Sequence, residues 1–163
     1  MERRVQFHPG MKILGLALLA LPLLACAPGS TIDTSSEDSA TDALTSHAVY
    51  ETFEEVMQHA LDAGLDCNHS VVVATAIAFA ESSGNIHAVN HNRNGSYDYG
   101  LWQINTIHGM TRSYLFNVDH NANAMVDISN AGTTFRPWST YTNGAYRKHM
   151  AAAQAAYANV CPP

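Results

Sequence analysis

Residues 81–105 read ESSGNIHAVNHNRNGSYDYGLWQIN, a segment in which small polar residues separate two carboxylates. Glu81 begins the segment, Asp98 lies near its end, and asparagine, glycine and serine are frequent between them. The Asn94-Gly95 pair is flanked by residues that can extend, which predicts a tight turn within a small β-hairpin. The segment therefore predicts two acidic side chains on either side of a polar hairpin.

The residues before this segment predict helices. The run VVVATAIAFAES, residues 71–82, is apolar on nearly every face, which predicts a central buried helix with Ser70 as its cap. An earlier helix is predicted before Gly64 from apolar residues at helical spacing. These residues are Val49, Phe53, Val56, Met57, Ala60 and Leu61. Later helices are predicted at residues 122–130 and 145–158, so the predicted fold class is mostly α with a small β-hairpin.

Glu81 comes in the last turn of the apolar helix, where two physical effects oppose its ionisation. The helix dipole is negative at this end, and apolar surroundings disfavour a charged carboxylate, so we expect a raised pKa for Glu81. Asp98 lies on the far arm of the hairpin, where hydroxyl and amide donors can hold it ionised. Two carboxylates in opposed environments are what acid-catalysed cleavage of a glycosidic bond requires. Taken singly, each could be an ordinary surface or turn residue, but together they favour a catalytic pair.

The segment resembles the active-site region of the lysozyme superfamily. Glu81-Ser82 resembles the catalytic Glu-Ser pair of that family, and Asn90-His91-Asn92 resembles the Asn-x-Asn of its hairpin. GSYDYG, residues 95–100, is similar to the return arm of the same hairpin. The resemblance implies a lysozyme-like α+β fold with the hairpin beside an active-site cleft.

Other stretches extend the resemblance over most of residues 47–163. The similarity to animal-type lysozymes continues to residue 105, whereas GLWQ at residues 100–103 also resembles the Gly-Leu-Met-Gln of lytic transglycosylases. Residues 116–125 and PWSTY, residues 137–141, are similar to segments of bacterial and phage lysozyme-like domains. Two related chemistries, hydrolysis and transglycosylation, are therefore implied.

The resemblance assigns roles to individual residues. Glu81 would be the general acid and Asp98 the second catalytic carboxylate, the arrangement for which lysozyme is the reference case. Residues implied to orient the acid or bind sugar are Ser82, Ser83, Tyr99, Trp102, Gln103, Asn105, Trp138 and Tyr141. Each aromatic residue among them could equally belong to the core, and for Trp138 core and groove are equally expected.

The implied activity is cleavage of the β-1,4 bond between N-acetylmuramic acid and N-acetylglucosamine in the glycan strands of peptidoglycan. No cofactor and no metal are expected. Asp98 favours hydrolysis by water over a lytic transglycosylase, which would form 1,6-anhydromuramic acid ends. The Ala-Tyr-Asn motif of many transglycosylases is also not evident in the sequence. A non-catalytic wall-binding module is a third hypothesis, against which the presence of Glu81 argues.

The N-terminal segment predicts export. Basic residues at positions 3, 4 and 12 precede an apolar run, residues 13–24, that is short for a permanent membrane span. LLAC, residues 23–26, resembles the bacterial lipobox, so we expect residues 1–26 to be a lipoprotein-type signal peptide and Cys26 to be lipidated. The product would be anchored to a membrane of the cell envelope. An ordinary secretory signal would instead give a secreted protein, and Met11 could be the true start.

Beyond Cys26, composition predicts a tether and one domain. Residues 27–46 are rich in Ser, Thr, Asp and Ala and cannot bury enough apolar surface to order themselves, so we expect a flexible tether. Residues 47–163 have the length of one small domain, which is expected to be catalytic and monomeric.

The charge of the chain limits its partners. The formal net charge is −6, and three of the eight basic residues, but only one of the fourteen acidic ones, precede Cys26. The remainder is therefore more acidic still, which excludes nucleic acid as an expected partner. Affinity for an acidic glycan must come from contacts within a groove rather than from overall charge.

The remaining cysteines predict a disulfide. The chain has three cysteines, and if Cys26 is lipidated only Cys67 and Cys161 remain, in a protein exported to an oxidising compartment. Closing so long a loop would contribute about 4 kcal/mol in the chain-entropy model. Two free thiols are the alternative.

The sequence gives little support for a metal site. DHNANA, residues 119–124, is similar to a calcium loop but lacks its turn glycine and its bidentate glutamate, so we expect it to cap a helix. His87 and His91 lack companion ligands at metal-binding spacing.

Overall fold

The computed structural model describes residues 48–161 and 163, so the predicted signal peptide (1–26), the predicted tether (27–46) and His47 lie outside the described residues. The elements in chain order are α1 (Phe53–Asp62), α2 (His69–Ser82), β1 (Val89–His91), β2 (Tyr97–Tyr99), β3 (Ile104–Asn105), α3 (Arg112–Leu115), α4 (Val118–Ile128), α5 (Ser139–Thr142) and α6 (Met150–Val160). Two 3₁₀ helices, Thr106–His108 and Ala145–His149, precede α3 and α6. The predicted mostly α fold with a small hairpin is confirmed.

Helix α1 begins with a reciprocal cap. The Thr52 side chain accepts a hydrogen bond from the backbone N–H of Glu55, and the Glu55 carboxylate accepts one from the backbone N–H of Thr52. The helix ends at Asp62, shortly before Gly64, as predicted. Val49 lies outside the helix and is 43% exposed, so its predicted place on the apolar face was wrong.

Helix α2 is the centre of the core. All of residues 71–78 are buried, and the helix packs against α1, α5 and α6. The predicted central helix is confirmed, but its cap is Asn68 rather than Ser70, because the Asn68 side chain accepts from the backbone N–H of Ser70 at 2.7 Å. In the described part of the chain, no helix is both long enough and apolar enough to cross a membrane.

The sheet places three polar side chains together. Strand β2 pairs antiparallel with β1 and with β3, and Asp98 is directly opposite Asn90 on one side and Asn105 on the other. Directly opposed residues project to the same face of a sheet, so the carboxylate of Asp98 is flanked by two amides. The predicted hairpin is confirmed. Strand β3 was not predicted, because a strand of two residues is too short to show an alternating pattern of apolar and polar residues.

The second half of the chain departs further from the prediction. Helix α4 begins at Val118, and its cap is Asn117, whose side chain accepts from the backbone N–H of His120 at 3.0 Å. Residues 119–124 therefore form the body of the helix rather than its cap. The helix predicted at residues 145–158 starts as a 3₁₀ helix and continues as α6. The four-residue helices α3 and α5 were missed because one turn shows no periodicity.

A buried asparagine attaches the sheet to helix α4. The Nδ2 of Asn121 donates to the carbonyls of Tyr99 (2.8 Å) and Leu115 (3.0 Å), and its Oδ1 accepts from the backbone N–H of Trp102 at 3.0 Å. Gly100 has a φ of 77°, and a Cβ at this position would collide with the Asn121 amide. The turn that follows β2 is thus fixed to the core, because every polar atom of Asn121 is satisfied there.

The structure contains the predicted disulfide. Cys67 precedes α2, Cys161 follows α6, and their Cα atoms are 5.7 Å apart. The Tyr157 hydroxyl adds a hydrogen bond to the Cys67 carbonyl at 3.0 Å. The bond closes a loop across a sequence separation of 94 residues, for which the chain-entropy model gives about 4 kcal/mol of stabilisation. It joins the two ends of the domain on the side where α2 begins, at the opposite end of that helix from Glu81.

Candidate active site

An open cavity of about 230 Å³ lies where helix α2 ends beside the sheet. Glu81 reaches it from α2 and Asp98 reaches it from the central strand β2. The other residues that line it are Gln103, Ile104, Asn105, Ile107, His108, Ile128, Pro137, Trp138 and Ser139. The two predicted carboxylates therefore share one cavity, although they belong to different elements.

Glu81 is half-buried at the end of α2. Burial is the main cause that raises its pKa above the ordinary value for glutamate, and the negative charge of Asp98 acts in the same direction. The Thr140 hydroxyl donates to Glu81 Oε1 at 2.6 Å, and this hydrogen bond opposes the rise in pKa. The predicted direction of the pKa shift is confirmed. Glu81 can therefore keep a transferable proton at a higher pH than an exposed glutamate.

Asp98 is held by three side-chain amides. Asn105 Nδ2 donates to Oδ1 at 2.6 Å, while Asn90 Nδ2 (3.0 Å) and Asn92 Nδ2 (2.9 Å) both donate to Oδ2. Both carboxylate oxygens thus have N–H partners, which fix the orientation of the group. The predicted amide donors are present. The Ser96 hydroxyl is linked to Asn92 and Asn105 instead of to Asp98.

Asn105 was expected to bind substrate, and the structure gives it a different position. Its Nδ2 donates to Asp98 and to Ser96 Oγ, and its Oδ1 accepts from the backbone N–H of Ile107 at 2.9 Å. Both ends of the amide are therefore occupied within the protein. Asn105 lines the cavity, but its polar atoms orient Asp98 and cap the 3₁₀ helix that follows.

Gln103 presents one polar atom to the cavity. Its Nε2 donates to the carbonyls of Ala88 (3.1 Å) and Gly100 (2.9 Å), and its backbone has a left-handed φ of 46°. These two bonds fix the amide plane. The Oε1 atom, which can only accept, is then the end of the side chain that is left for a ligand.

The two tryptophans have different positions. Trp102 is fully buried, and its Nε1 donates to the Ala74 carbonyl of α2 at 2.9 Å, so the prediction that it stacks on sugar was wrong. Trp138 is 6% exposed, donates to the Trp102 carbonyl at 2.8 Å, and still lines the cavity. Trp138 therefore belongs to the core and forms part of the cavity wall.

Four further residues were expected at the site but are not among those that line the cavity: Tyr99, Tyr141, Ser82 and Ser83. Tyr99 is 8% exposed and packs edge-on against Phe116. Tyr141 packs against Phe135 and Tyr146, with ring centroids 5.9 and 5.0 Å apart. The structure therefore packs both tyrosines against other aromatic rings.

The two serines after Glu81 end the helix instead of orienting the acid. The Ser82 hydroxyl donates to the Ala78 carbonyl at 3.0 Å and accepts from the backbone N–H of Gly84. Ser83 is the C-cap and takes a left-handed φ of 57°. The polar partner of Glu81 is Thr140, which sequence reasoning did not predict. No spacing could have indicated it, because 59 residues separate the two.

The part of the chain that the structure describes contains no cluster of metal-binding side chains. Within residues 48–161 and 163, no three His, Cys, Asp or Glu side chains are close enough to hold a metal ion. His91 stacks on Tyr97, with ring centroids 4.4 Å apart.

A comparison with known families matches residues 57–140 to a family described as a lysozyme-like domain. The match covers more than half of the chain and runs from α1 to Thr140 in α5. This chain belongs to the lysozyme-like domain family. The matched part of the lysozyme-like domain contains Glu81, Asp98 and every amide that holds Asp98, which confirms the family predicted from the sequence.

A curated relative is similar over a shorter stretch. Lysozyme-like protein 6 of Homo sapiens is 46% identical over 46 residues, which are 27% of this chain and 31% of that protein. The match spans less than a third of the relative. It supports the assignment of the lysozyme-like fold, and it does not carry the activity of one protein to the other.

Proposed function

We propose that this lysozyme-like domain is a muramidase, which hydrolyses the β-1,4 bond between N-acetylmuramic acid and N-acetylglucosamine in peptidoglycan. One observation carries the proposal. In a single cavity, a half-buried Glu81 with a raised pKa faces an Asp98 carboxylate held by three amides. These are the two different environments that a glycosidase gives to its acid and to its second carboxylate.

The chemistry follows from the two carboxyl groups. Glu81 donates its proton to the glycosidic oxygen while the bond between that oxygen and the anomeric carbon breaks. Asp98 stabilises the positive charge that develops on the sugar or bonds to the anomeric carbon. Glu81, now a carboxylate, removes a proton from water as the water oxygen bonds to that carbon, and any bond from Asp98 to that carbon breaks at the same time. Both groups then regain their initial protonation states.

The rest of the cavity fits a glycan better than an ionic ligand. Ile107, which is 72% exposed, and Trp138 both line the cavity, so both offer apolar surface to a sugar face. Gln103 Oε1 can accept from a hydroxyl or an amide N–H. The described lining residues include no lysine or arginine, so binding would rest on these local contacts rather than on attraction between opposite charges.

The test is release of soluble fragments from purified, dye-labelled peptidoglycan by the purified protein. We expect release, and we expect its rate to fall as the pH rises through the raised pKa of Glu81, because the acid must be protonated to act. Peptidoglycan that binds the protein but releases no fragments at any pH would contradict the proposal. That outcome would favour the non-catalytic wall-binding module.

A lytic transglycosylase is the alternative within the same site. It would use Glu81 first as acid and then as base, and the 6-hydroxyl of muramic acid would take the place of water. The three amides on Asp98 favour hydrolysis, because they maintain a second carboxylate that the intramolecular route needs less.

We further propose that the enzyme acts from a membrane of the cell envelope as a lipoprotein, on the basis of LLAC at residues 23–26. Replacement of the thiol in Cys26→Ser is expected to convert a membrane-associated product into a soluble or unprocessed one. Cell fractionation and intact-protein mass spectrometry measure both effects, with Ser36→Ala in the predicted tether as the control. Wild-type protein without acyl chains would contradict the lipoprotein proposal and leave the secreted form.

A further inference from the structure

We propose that Thr140 is a positioning residue for the general acid, and that its hydroxyl selects the Glu81 oxygen that carries the transferable proton and stabilises the carboxylate that forms when the proton leaves. This inference rests on the proposed function. It concerns a side chain 59 positions away from Glu81 in sequence that has one short contact with its carboxyl group.

The hydrogen bond from Thr140 distinguishes the two oxygens of the Glu81 carboxyl group. Thr140 Oγ1 lies 2.6 Å from Glu81 Oε1, and the hydroxyl donates to that oxygen. An oxygen that accepts this bond has less capacity to hold the acidic proton, so the proton is favoured on Oε2. A hydrogen bond from a hydroxyl also strengthens when its acceptor becomes charged. Thr140 therefore stabilises the Glu81 carboxylate that forms as the proton moves to the glycosidic oxygen.

Thr140 is held in place from the same helix that carries Glu81. Trp138, the residue before α5, donates to the Trp102 carbonyl at 2.8 Å, and Trp102 donates to the Ala74 carbonyl of α2 at 2.9 Å. Both indoles are buried. Hydrogen bonds thus lead from α2 through two tryptophans to α5, and from Thr140 back to α2. Such a closed path fixes the hydroxyl before substrate arrives.

Opposing effects act on the pKa of Glu81. Burial and the charge of Asp98 raise the pKa of Glu81, while the hydroxyl and the backbone N–H of Thr140 lower it. An acid that is too weak transfers its proton poorly, and one that is too strong is ionised at the working pH. Thr140 is the group in the described site that opposes the effect of burial. Removal of its hydroxyl should therefore raise the pKa of Glu81.

The direct test is a titration that does not depend on activity. The Glu81 carboxyl carbon is followed by carbon-13 NMR in the purified protein without substrate, and Glu81→Gln assigns the signal. Thr140→Val removes the hydroxyl at nearly constant shape and is expected to raise the pKa of Glu81. Thr140→Ser keeps the hydroxyl and should titrate as wild type. Thr142→Val is the matched control, because its hydroxyl, in the same short helix, donates to the Ser139 carbonyl instead.

The kinetic test uses the same variants on purified peptidoglycan. For Thr140→Val we expect kcat to fall by about tenfold to a hundredfold with little change in KM, and the alkaline limb of the pH profile to move to higher pH. Thr140→Ser should keep the wild-type kcat and the wild-type pH profile. An unchanged Glu81 titration and an unchanged pH profile in Thr140→Val would overturn the inference, even if thermal unfolding showed a structural loss. If the wild type cleaved nothing, the proposed function would fail, whereas the titration would still decide the role of Thr140.

Discussion

Glu81→Gln is expected to abolish cleavage of peptidoglycan while the fold and glycan binding persist. Removal of a general acid costs about a hundredfold to ten-thousandfold in rate. The new side chain has nearly the same shape, and its amide oxygen can still accept from the Thr140 hydroxyl. It has no carboxyl proton to donate. The expected loss is therefore chemical and not structural.

The measurement compares initial rates of fragment release with cosedimentation on insoluble peptidoglycan. Glu51→Gln is the matched control, because burial also raises the pKa of Glu51, but this residue is not among those that line the cavity. It should cleave at close to the wild-type rate. Near-full activity in Glu81→Gln would contradict the assignment of the acid.

Asp98→Asn is expected to reduce hydrolysis by about a hundredfold to a thousandfold, as the removal of a group that stabilises transition-state charge does. The substitution removes the negative charge that stabilises the sugar cation in the proposed mechanism. It also places an amide N–H against the donors of Asn90, Asn92 or Asn105, so part of the loss could come from local rearrangement.

A second variant separates these two causes. Asp98→Ala removes the charge without placing a donor against the three amides, and it should lose activity to a similar extent. Thermal unfolding of both variants records any change in stability. Asp127→Asn, at an exposed position in α4, is the control and should be near wild type. Asp98 variants that keep most of the activity would contradict a hydrolase and favour the transglycosylase, which depends less on a second carboxylate.

Local patterns predicted the parts of the fold that local chemistry determines. The continuous apolar run of α2 and the hairpin predicted from Asn94-Gly95 each lie within a short segment, and both were confirmed. Glu81 and Asp98 could be paired for the same reason, since one helix end and one hairpin bring them together. The cap of α2 was wrong because Asn68 and Ser70 are both good caps, and their order of preference depends on the backbone.

Contacts between distant segments could not be predicted from the sequence. The sequence does not distinguish an aromatic residue in a core from one in a groove. Only the packing shows that Trp102 is buried and that Trp138 lines the cavity. The bond from Thr140 to Glu81 depends on how α5 docks on α2, which no spacing encodes. The role of Asn121 could not be predicted either, because only its hydrogen-bond partners show that it joins the sheet to α4.

The most direct test of the account is mass spectrometry of the fragments that the wild-type protein releases from purified peptidoglycan. Hydrolysis of the muramic acid bond predicts fragments that end in reducing N-acetylmuramic acid, each carrying the elements of one added water. Fragments that end predominantly in 1,6-anhydromuramic acid, or in reducing N-acetylglucosamine, would contradict it.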